Sequence, residues 1–177
     1  MKKQLILLVV LVLLAWQTVA QTAWKSTKAS VSFTIRNAGF TVDGSFGGFA
    51  GTLLFDPASP EKGKLSASLE TNSVNTGNGT RDGHLRKADY FDVVAHPRIT
   101  LTSISIEKGN NAAYSGVFDL TIKGITRRVT IPFTFTQTGS NRLFAGSFKI
   151  NRLDYKIGKS NFLMSNDVKL TLNVAVE

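Results

Sequence analysis

Cysteine is absent from this chain of 177 residues. That excludes disulfides, thiolate metal ligands and thiol nucleophiles, and it removes the acceptor for a lipoprotein anchor. Past the N-terminus no segment is continuously apolar for long enough to cross a bilayer as a helix. Long helical periods, internal repeats, low-complexity tracts and linkers are also missing, which leaves one domain. No G-x-S-x-G turn is present to carry a nucleophilic serine. The glycine-rich stretch Gly44-Ser45-Phe46-Gly47-Gly48-Phe49 lacks the Lys-Ser/Thr of a phosphate loop and reads better as a bend or bulge between strands. Histidine is scarce: His84 and His96 stand twelve residues apart, a spacing that matches no recognised zinc site. Asp82, Asp89 and Asp92 lie nearby, so a hydrolytic or metal-dependent centre built on His84 with Asp82 or Asp89 is one reading, and ordinary hydrogen-bonded side chains are the other.

The N-terminus has the layout of a cleavable secretory signal peptide over residues 1–20. Lys2 and Lys3 form a positive start, Leu5 to Ala15 an apolar core, and Thr18-Val19-Ala20 a small-residue cleavage site. Cleavage after Ala20 leaves residues 21–177, which is 157 of 177 and enough for a sizeable core. Charge is basic, 21 Lys and Arg against 12 Asp and Glu; without Lys2 and Lys3 it is 19 against 12, or +7. Basic proteins meet nucleic acid, anionic membrane surfaces or only water. Export argues against nucleic acid, and the basic residues are scattered, with Arg127-Arg128 the only adjacent arginines. A membrane-surface contact stays compatible with this balance. An antiparallel edge or a basic face would equally serve a homodimer.

Two-residue alternation dominates the mature part. Val31, Phe33 and Ile35 share one face. The period recurs at Leu65-Ala67-Leu69, Phe118-Leu120-Ile122, Val129-Ile131-Phe133-Phe135, Phe144-Gly146-Phe148-Ile150 and Val168 to Val176. Asp43-Gly44, Lys62-Gly63, Lys108 to Asn111, Lys123-Gly124 and Thr138 to Asn141 read as turns. About eight antiparallel strands follow, in a sandwich or a closed barrel. The long final strand would close a barrel by pairing with an early one. One excursion, Asn75 to Pro97, breaks the alternation and predicts a short helix capped by Thr80 or Asp82 and running through Leu85 to Ala88. Long excursions of this kind carry function or form lids.

Twelve phenylalanines, mostly on alternating faces, predict an aromatic interior. An eight-stranded barrel either fills with side chains or holds one ligand. Gly116 and Gly146, on the aromatic face, would leave space, although strand glycines have other uses.

The chain resembles the YceI-like family of exported bacterial lipid- or polyisoprenoid-binding proteins. The resemblance runs from Trp24 to Val176. It is carried by Ser30-Val31-Ser32-Phe33, Val42-x-Gly44-x-Phe46 and the central run Arg81-Asp82-Gly83-His84-Leu85-Arg86-Lys87-Ala88-Asp89-Tyr90-Phe91-Asp92. Pro97-x-Ile99, Gly116-x-x-x-Leu120-Thr121-Ile122-Lys123-Gly124, Val129-x-Ile131-Pro132, Phe144-x-Gly146, Ile150-Asn151-Arg152-x-Asp154-Tyr155 and Asp167-Val168-x-Leu170 follow in order. It implies an all-β, eight-stranded antiparallel lipocalin-like barrel with one short helical excursion, located in the periplasm. The implied role is a carrier or binder of a long isoprenoid or other lipid rather than an enzyme, with no catalytic residues, metal or cofactor. Alternation then nominates Phe33, Ile35, Phe118, Leu120, Phe133, Phe148 and Ile150 as tail contacts, with Phe91 near the mouth. Arg81, His84, Arg86 and Arg98 would meet an anionic head at the rim, or else Arg81 and Asp82 would pin the excursion. Asn37 stands where many relatives carry a histidine, and Tyr90 where they carry Phe. The rival reading is a ligand-free stress-response or interaction module with a filled barrel.

Overall fold

The structure is a computed structural model that describes residues 21–110 and 113–177. The segment read as a signal peptide, and Asn111 of one expected turn, lie outside the described residues. Ten strand segments form one sheet: β1 Ala23–Trp24, β2 Ser26–Asn37, β3 Phe40–Phe46, β4 Ala50–Leu54, β5 Lys64–Glu70, β6 Arg98–Lys108, β7 Ala113–Ile122, β8 Ile125–Thr138, β9 Asn141–Asn151 and β10 Met164–Val176. Every pairing is antiparallel, in the order β1-β4-β5-β6-β7-β8-β9-β10-β2-β3. The two ends of that order are joined through the chain. β1 runs into β2 across Lys25 alone, and β3 runs into β4 across Gly47–Phe49. The β1–β4 and β2–β3 pairs are therefore two halves of one bent hairpin, and the ten segments make eight strands wrapped into an antiparallel barrel. Edge amides find partners by this closure, which is why alternation extends to the last residues of β10.

Kinks are needed where the strands bend. Gly48 takes φ +64° at the break between β3 and β4, a conformation that favours glycine. At the β1–β2 break Lys25 still exchanges both backbone hydrogen bonds with Glu177, at 2.9 and 3.0 Å. The β2–β3 turn is made by Ala38 and Gly39 (φ 49° and 82°), and the β7–β8 turn by Lys123 and Gly124 (φ 52° and 70°). Positive φ at both centres matches the right-handed twist of the flanking strands. Asp43-Gly44, expected to be a turn, instead lies inside β3. Its glycine serves packing: a Cβ at Gly44 would sit 2.3 Å from the Phe33 ring, which lies across it. Gly116 works the same way under Phe118, again 2.3 Å from where a Cβ would stand, so it admits a ring and does not leave space.

The barrel interior has two unlike halves. At the end holding Gln21, Glu177 and the β4–β5 connection, Phe55 is fully buried with its ring centroid 5.0 to 5.9 Å from those of Tyr114, Phe133, Phe135 and Phe144, all edge-on. Trp24 extends this cluster onto Phe135, donates its indole N–H to the Phe55 carbonyl at 2.8 Å and lies under the Arg142 guanidinium. Edge-to-face rings at these separations add roughly 0.5–1.5 kcal/mol per pair beyond area burial. At the other end lie the β2–β3 turn, the excursion from Thr71 to Pro97, the β7–β8 turn and the β9–β10 connection. The helix there, α1, spans Gly79–Leu85. Asn78 caps it by accepting the Arg81 N–H at 3.0 Å, where Thr80 or Asp82 was expected. Asn can reach back to N3 from the residue before the turn, which neither Thr80 nor Asp82, already inside the helix, can do.

Tyr155 is buried against the upper core (1% exposed), and burial, with help from Asp154, pushes its phenol up to about 12 from the ordinary 10.0. The folded chain thus keeps the phenolic proton at pH values where the unfolded chain has lost it. Its contribution to stability is whole below pH 10 and lost as pH rises from 10 to about 12. Denaturant unfolding on either side of pH 10 should show a steeper loss of stability for the wild type than for Tyr155→Phe.

Candidate functional site

Above the aromatic cluster the interior is not filled. A cavity of about 500 Å³ occupies the upper half, within the range of small-molecule sites. A smaller space of about 80 Å³ lies below it. Phe49, Ala67, Leu101 and Leu172 line both. They form a waist, with the Phe49 ring lying over Gly51, where a Cβ would be 3.3 Å from its tip.

The placement of the nominated tail residues follows their height in the barrel. Phe33, Ile35, Phe91, Leu120, Phe148 and Ile150 line the upper cavity, whereas Phe118 and Phe133 lie below the waist and line the small space. Phe133 stacks on Tyr114 at 5.4 Å and belongs to the aromatic cluster. Gly146 also lines the small space, with Pro132 and Phe133 within 3.3 Å of a Cβ position. The filled interior of the rival reading thus describes only the lower half. The inward faces of β3 and β10 escaped the sequence reading as ligand contacts. Val42 and Phe46 on β3, and Val168, Leu170 and Leu172 on β10, complete the wall. Their alternation was visible, but alternation does not say which rungs face a void.

At the mouth, α1 and the strand ends supply Asn37, Thr76, Asn78, Thr80, Arg81 and His84. Of the four nominated rim residues, Arg81 and His84 line the cavity, and Arg86 and Arg98 do not. Arg86 gives Nε to the Asn72 carbonyl at 3.0 Å and Nη2 to that of Val74 at 2.9 Å. Arg98 Nη2 donates to the Gly48 carbonyl at 3.2 Å and to Ser68 Oγ at 2.6 Å. Both donate to backbone carbonyls, and Arg98 also to a hydroxyl, and neither lines the cavity. Arg81 is itself committed: Nε donates to Thr76 Oγ1 at 2.8 Å and Nη2 to the Thr76 carbonyl at 2.9 Å. Thr76 Oγ1 in turn donates to the buried Asp82 carboxylate at 2.5 Å, which also accepts the Thr76 N–H at 2.9 Å. A hydroxyl thus relays between cation and carboxylate and pins α1 against the chain before it.

Arg152, quoted above only as part of a motif, also lines the cavity and is 3% exposed. Nε donates to the Ser165 carbonyl, Nη1 to Ile157, and Nη2 to Lys159 and to Asn166 Oδ1, all at 2.8 to 3.1 Å. Among the described residues no carboxylate lies within ion-pair distance of it; the two ion pairs are Lys25–Glu177 and Arg128–Asp119. Burial lowers its pKa, opposed by Tyr90. A buried guanidinium held only by neutral acceptors keeps its positive field, and this one faces the cavity. Asn37 and Tyr90 line the same space.

Among the described residues no hydrogen bond or ion pair joins the His84 ring to Asp82 or Asp89. Asp82 is engaged by Thr76, and His96 packs on the β7–β8 turn, 2.9 Å from a Cβ position at Gly124. Among the described residues no three His, Cys, Asp or Glu side chains gather as a metal site would need.

The Arg81–Thr76–Asp82 relay makes a specific prediction. Asp82→Ala and Thr76→Ala should each cost about 1–3 kcal/mol, because each leaves a buried or half-buried partner unsatisfied. The double variant should cost clearly less than their sum, by at least about 0.5 kcal/mol in a denaturation cycle.

The family model for the YceI-like domain matches residues 23–176. A UPF0312 protein of Ectopseudomonas mendocina is 33% identical over 153 residues, covering 82% of this chain and 80% of that protein. Protein YceI of Salmonella arizonae is 32% identical, with 82% and 80% covered. Among solved structures, the Campylobacter jejuni YCEI protein matches with TM-score 0.71 at 32% identity, covering 77% of this chain and 85% of its own. BcnA of Burkholderia cenocepacia shares the fold at TM-score 0.80 and 24% identity, covering 84% and 96%. A polyisoprenoid binding domain from Saccharophagus degradans shares it at TM-score 0.68 and 14% identity, covering 89% and 98%. A family model spanning the whole barrel, with relatives above 30% identity over four-fifths of the chain, places this protein in the YceI-like family.

Proposed function

We propose that this chain is an exported, periplasmic binder of a long apolar or amphiphilic lipid such as a polyisoprenoid, held tail-down in the upper half of the barrel. The observation that carries the reading is the 500 Å³ cavity, walled mainly by aliphatic and aromatic side chains, with most of its polar lining at the mouth. Each methylene moved from water into such a space is worth about 0.8 kcal/mol, so a tail can bind tightly with no specific contact. The waist at Phe49 sets how far a tail reaches before a ring must swing aside.

The head would rest among Asn37, Asn78, Thr80 and His84 in the field of Arg152. That setting favours a phosphate or another electron-rich group. The relative from Saccharophagus degradans, named for polyisoprenoid binding, supports the choice of lipid class through its fold. Binding is the activity that a mainly apolar cavity serves best, and the Oδ1 of the nearby Asp82 is taken up by Thr76.

The test is native mass spectrometry of the mature protein purified from a bacterial host, followed by solvent extraction of whatever is bound. A stoichiometric adduct that extracts as a long apolar chain is expected. Leu170→Trp fills the cavity from β10 and should lower occupancy at least tenfold, while Lys169→Trp, on the outer face, should leave it unchanged. A clean apo mass that persists after incubation with polyprenyl lipids would defeat the proposal.

A further inference from the structure

If the barrel holds a lipid, as proposed above, the lipid has one way in. The lower half is packed with the Phe55 cluster, so a tail must pass the lip formed by the upper connections. Five large apolar side chains stand exposed among the described residues. Four of them belong to that end: Phe40 at 75%, Val94 at 92%, Phe162 at 95% and Leu163 at 52%. Only Ile104, at 48%, lies on the barrel wall. Single exposed apolar residues need no explanation, but a group of them at the rim of a cavity does.

Three of the four are stitched together. Phe40 comes two residues before Val42 on the inward-facing row of β3 and pairs with Asn37, and both Val42 and Asn37 line the cavity. Its ring therefore stands one rung above the cavity wall. The Ala38 N–H donates to the Leu163 carbonyl at 2.7 Å, and Met164 pairs with Asn37. The β2–β3 turn and the end of the β9–β10 connection are thereby held side by side, with Phe40, Phe162 and Leu163 on them. The charge on these two pieces is of one sign. Residues 36–41 and 156–163 contain Arg36, Lys156 and Lys159 and no Asp or Glu. The β4–β5 connection at the opposite end carries Asp56 and Glu61 beside Lys62.

We propose that this lip docks on an anionic bilayer, with Phe40, Phe162 and Leu163 seated at the headgroup boundary. Aromatic and leucine side chains ringed by cations are the composition that binds there. Each cation near an anionic surface contributes roughly 1 kcal/mol. A protein partner is the poorer match, because three side chains on two loops fall well short of the roughly 1,000 Å² that a specific protein interface needs. Docking would set the cavity mouth against the membrane, so that a lipid moves between bilayer and barrel without exposing its tail to water.

The experiment uses the mature protein, the variant F40S/F162S/L163S and the single variant F162S, whose side chain touches no core. Vesicles of phosphatidylglycerol with phosphatidylethanolamine are compared with vesicles of phosphatidylcholine by co-sedimentation. A fluorescent farnesyl probe is offered either by dilution from solvent or preloaded in the anionic vesicles. The wild type is expected on the anionic vesicles and several-fold less on the neutral ones. The triple variant should partition at least tenfold less and load at least tenfold more slowly from vesicles, yet take up solvent-delivered probe as the wild type does. F162S should move in the same direction, so a misfolded triple variant would not rescue or sink the idea. Equal partitioning of wild type and F162S would overturn the docking proposal, as would a wild type that ignores both vesicle types. So would a dimer, seen without vesicles, that the substitutions dissociate. Failure of the wild type to take solvent-delivered probe would instead overturn the lipid-binding reading on which this rests.

Discussion

The number of strands fixes the interior of a barrel before side chains are chosen. Eight strands enclose a space that side chains can just fill, or can leave open for one small ligand. In this chain both outcomes occur, one above the other. Below the waist, rings from β7, β8 and β9 converge on Phe55, which follows β4 and is wholly buried. Above it the inward residues of β2, β3 and β10 are mostly aliphatic, and they cannot meet across the same diameter. Those walls would collapse or admit water if the lower cluster and the ring of paired strands did not hold them apart. The cavity thus depends on the plug beneath it.

The mouth is held by a different kind of interaction. Long connections cannot be pinned by apolar burial alone, and here cationic side chains do it through carbonyl groups. Arg86 ties α1 to the turn at Thr71–Ser73, Arg152 ties the β9–β10 connection to the start of β10, and Lys123 bridges the carbonyls of Ala88 and Lys156. Hydrogen bonds from charged donors are the strong ones, and they hold geometry in places where exposed ion pairs contribute little. One effect is electrostatic. Because the guanidinium of Arg152 is satisfied by neutral oxygens, its charge is not cancelled locally and is felt in the cavity.

The barrel was legible in the sequence because period-2 alternation, turn residues and a long final strand all speak to antiparallel closure. Height along the barrel axis was not legible. Phe118, Phe133, Leu120 and Phe148 share one facing, but only contacts across the barrel decide that the first two lie below the waist. Asp43-Gly44 misled for a related reason. A glycine inside a strand is written with the same letter as a glycine in a turn, and the Phe33 ring that needs it lies on the neighbouring strand. The basic residues of the excursion likewise look alike in sequence. Arg86, and Arg98 just beyond the excursion, donate to the carbonyls of Asn72, Val74 and Gly48, and those acceptors are backbone groups that no residue pattern displays.

The central claim is that the upper half of this barrel is a lipid chamber standing on a packed aromatic base. A crystal structure of the mature protein loaded with a polyprenyl lipid tests it most directly. The account predicts continuous density for an extended tail from the mouth between Asn37 and His84 down to Phe49, with the Phe55 cluster unchanged below. A tail lying outside the barrel, or an upper half closed on its own side chains with no room for one, would contradict it.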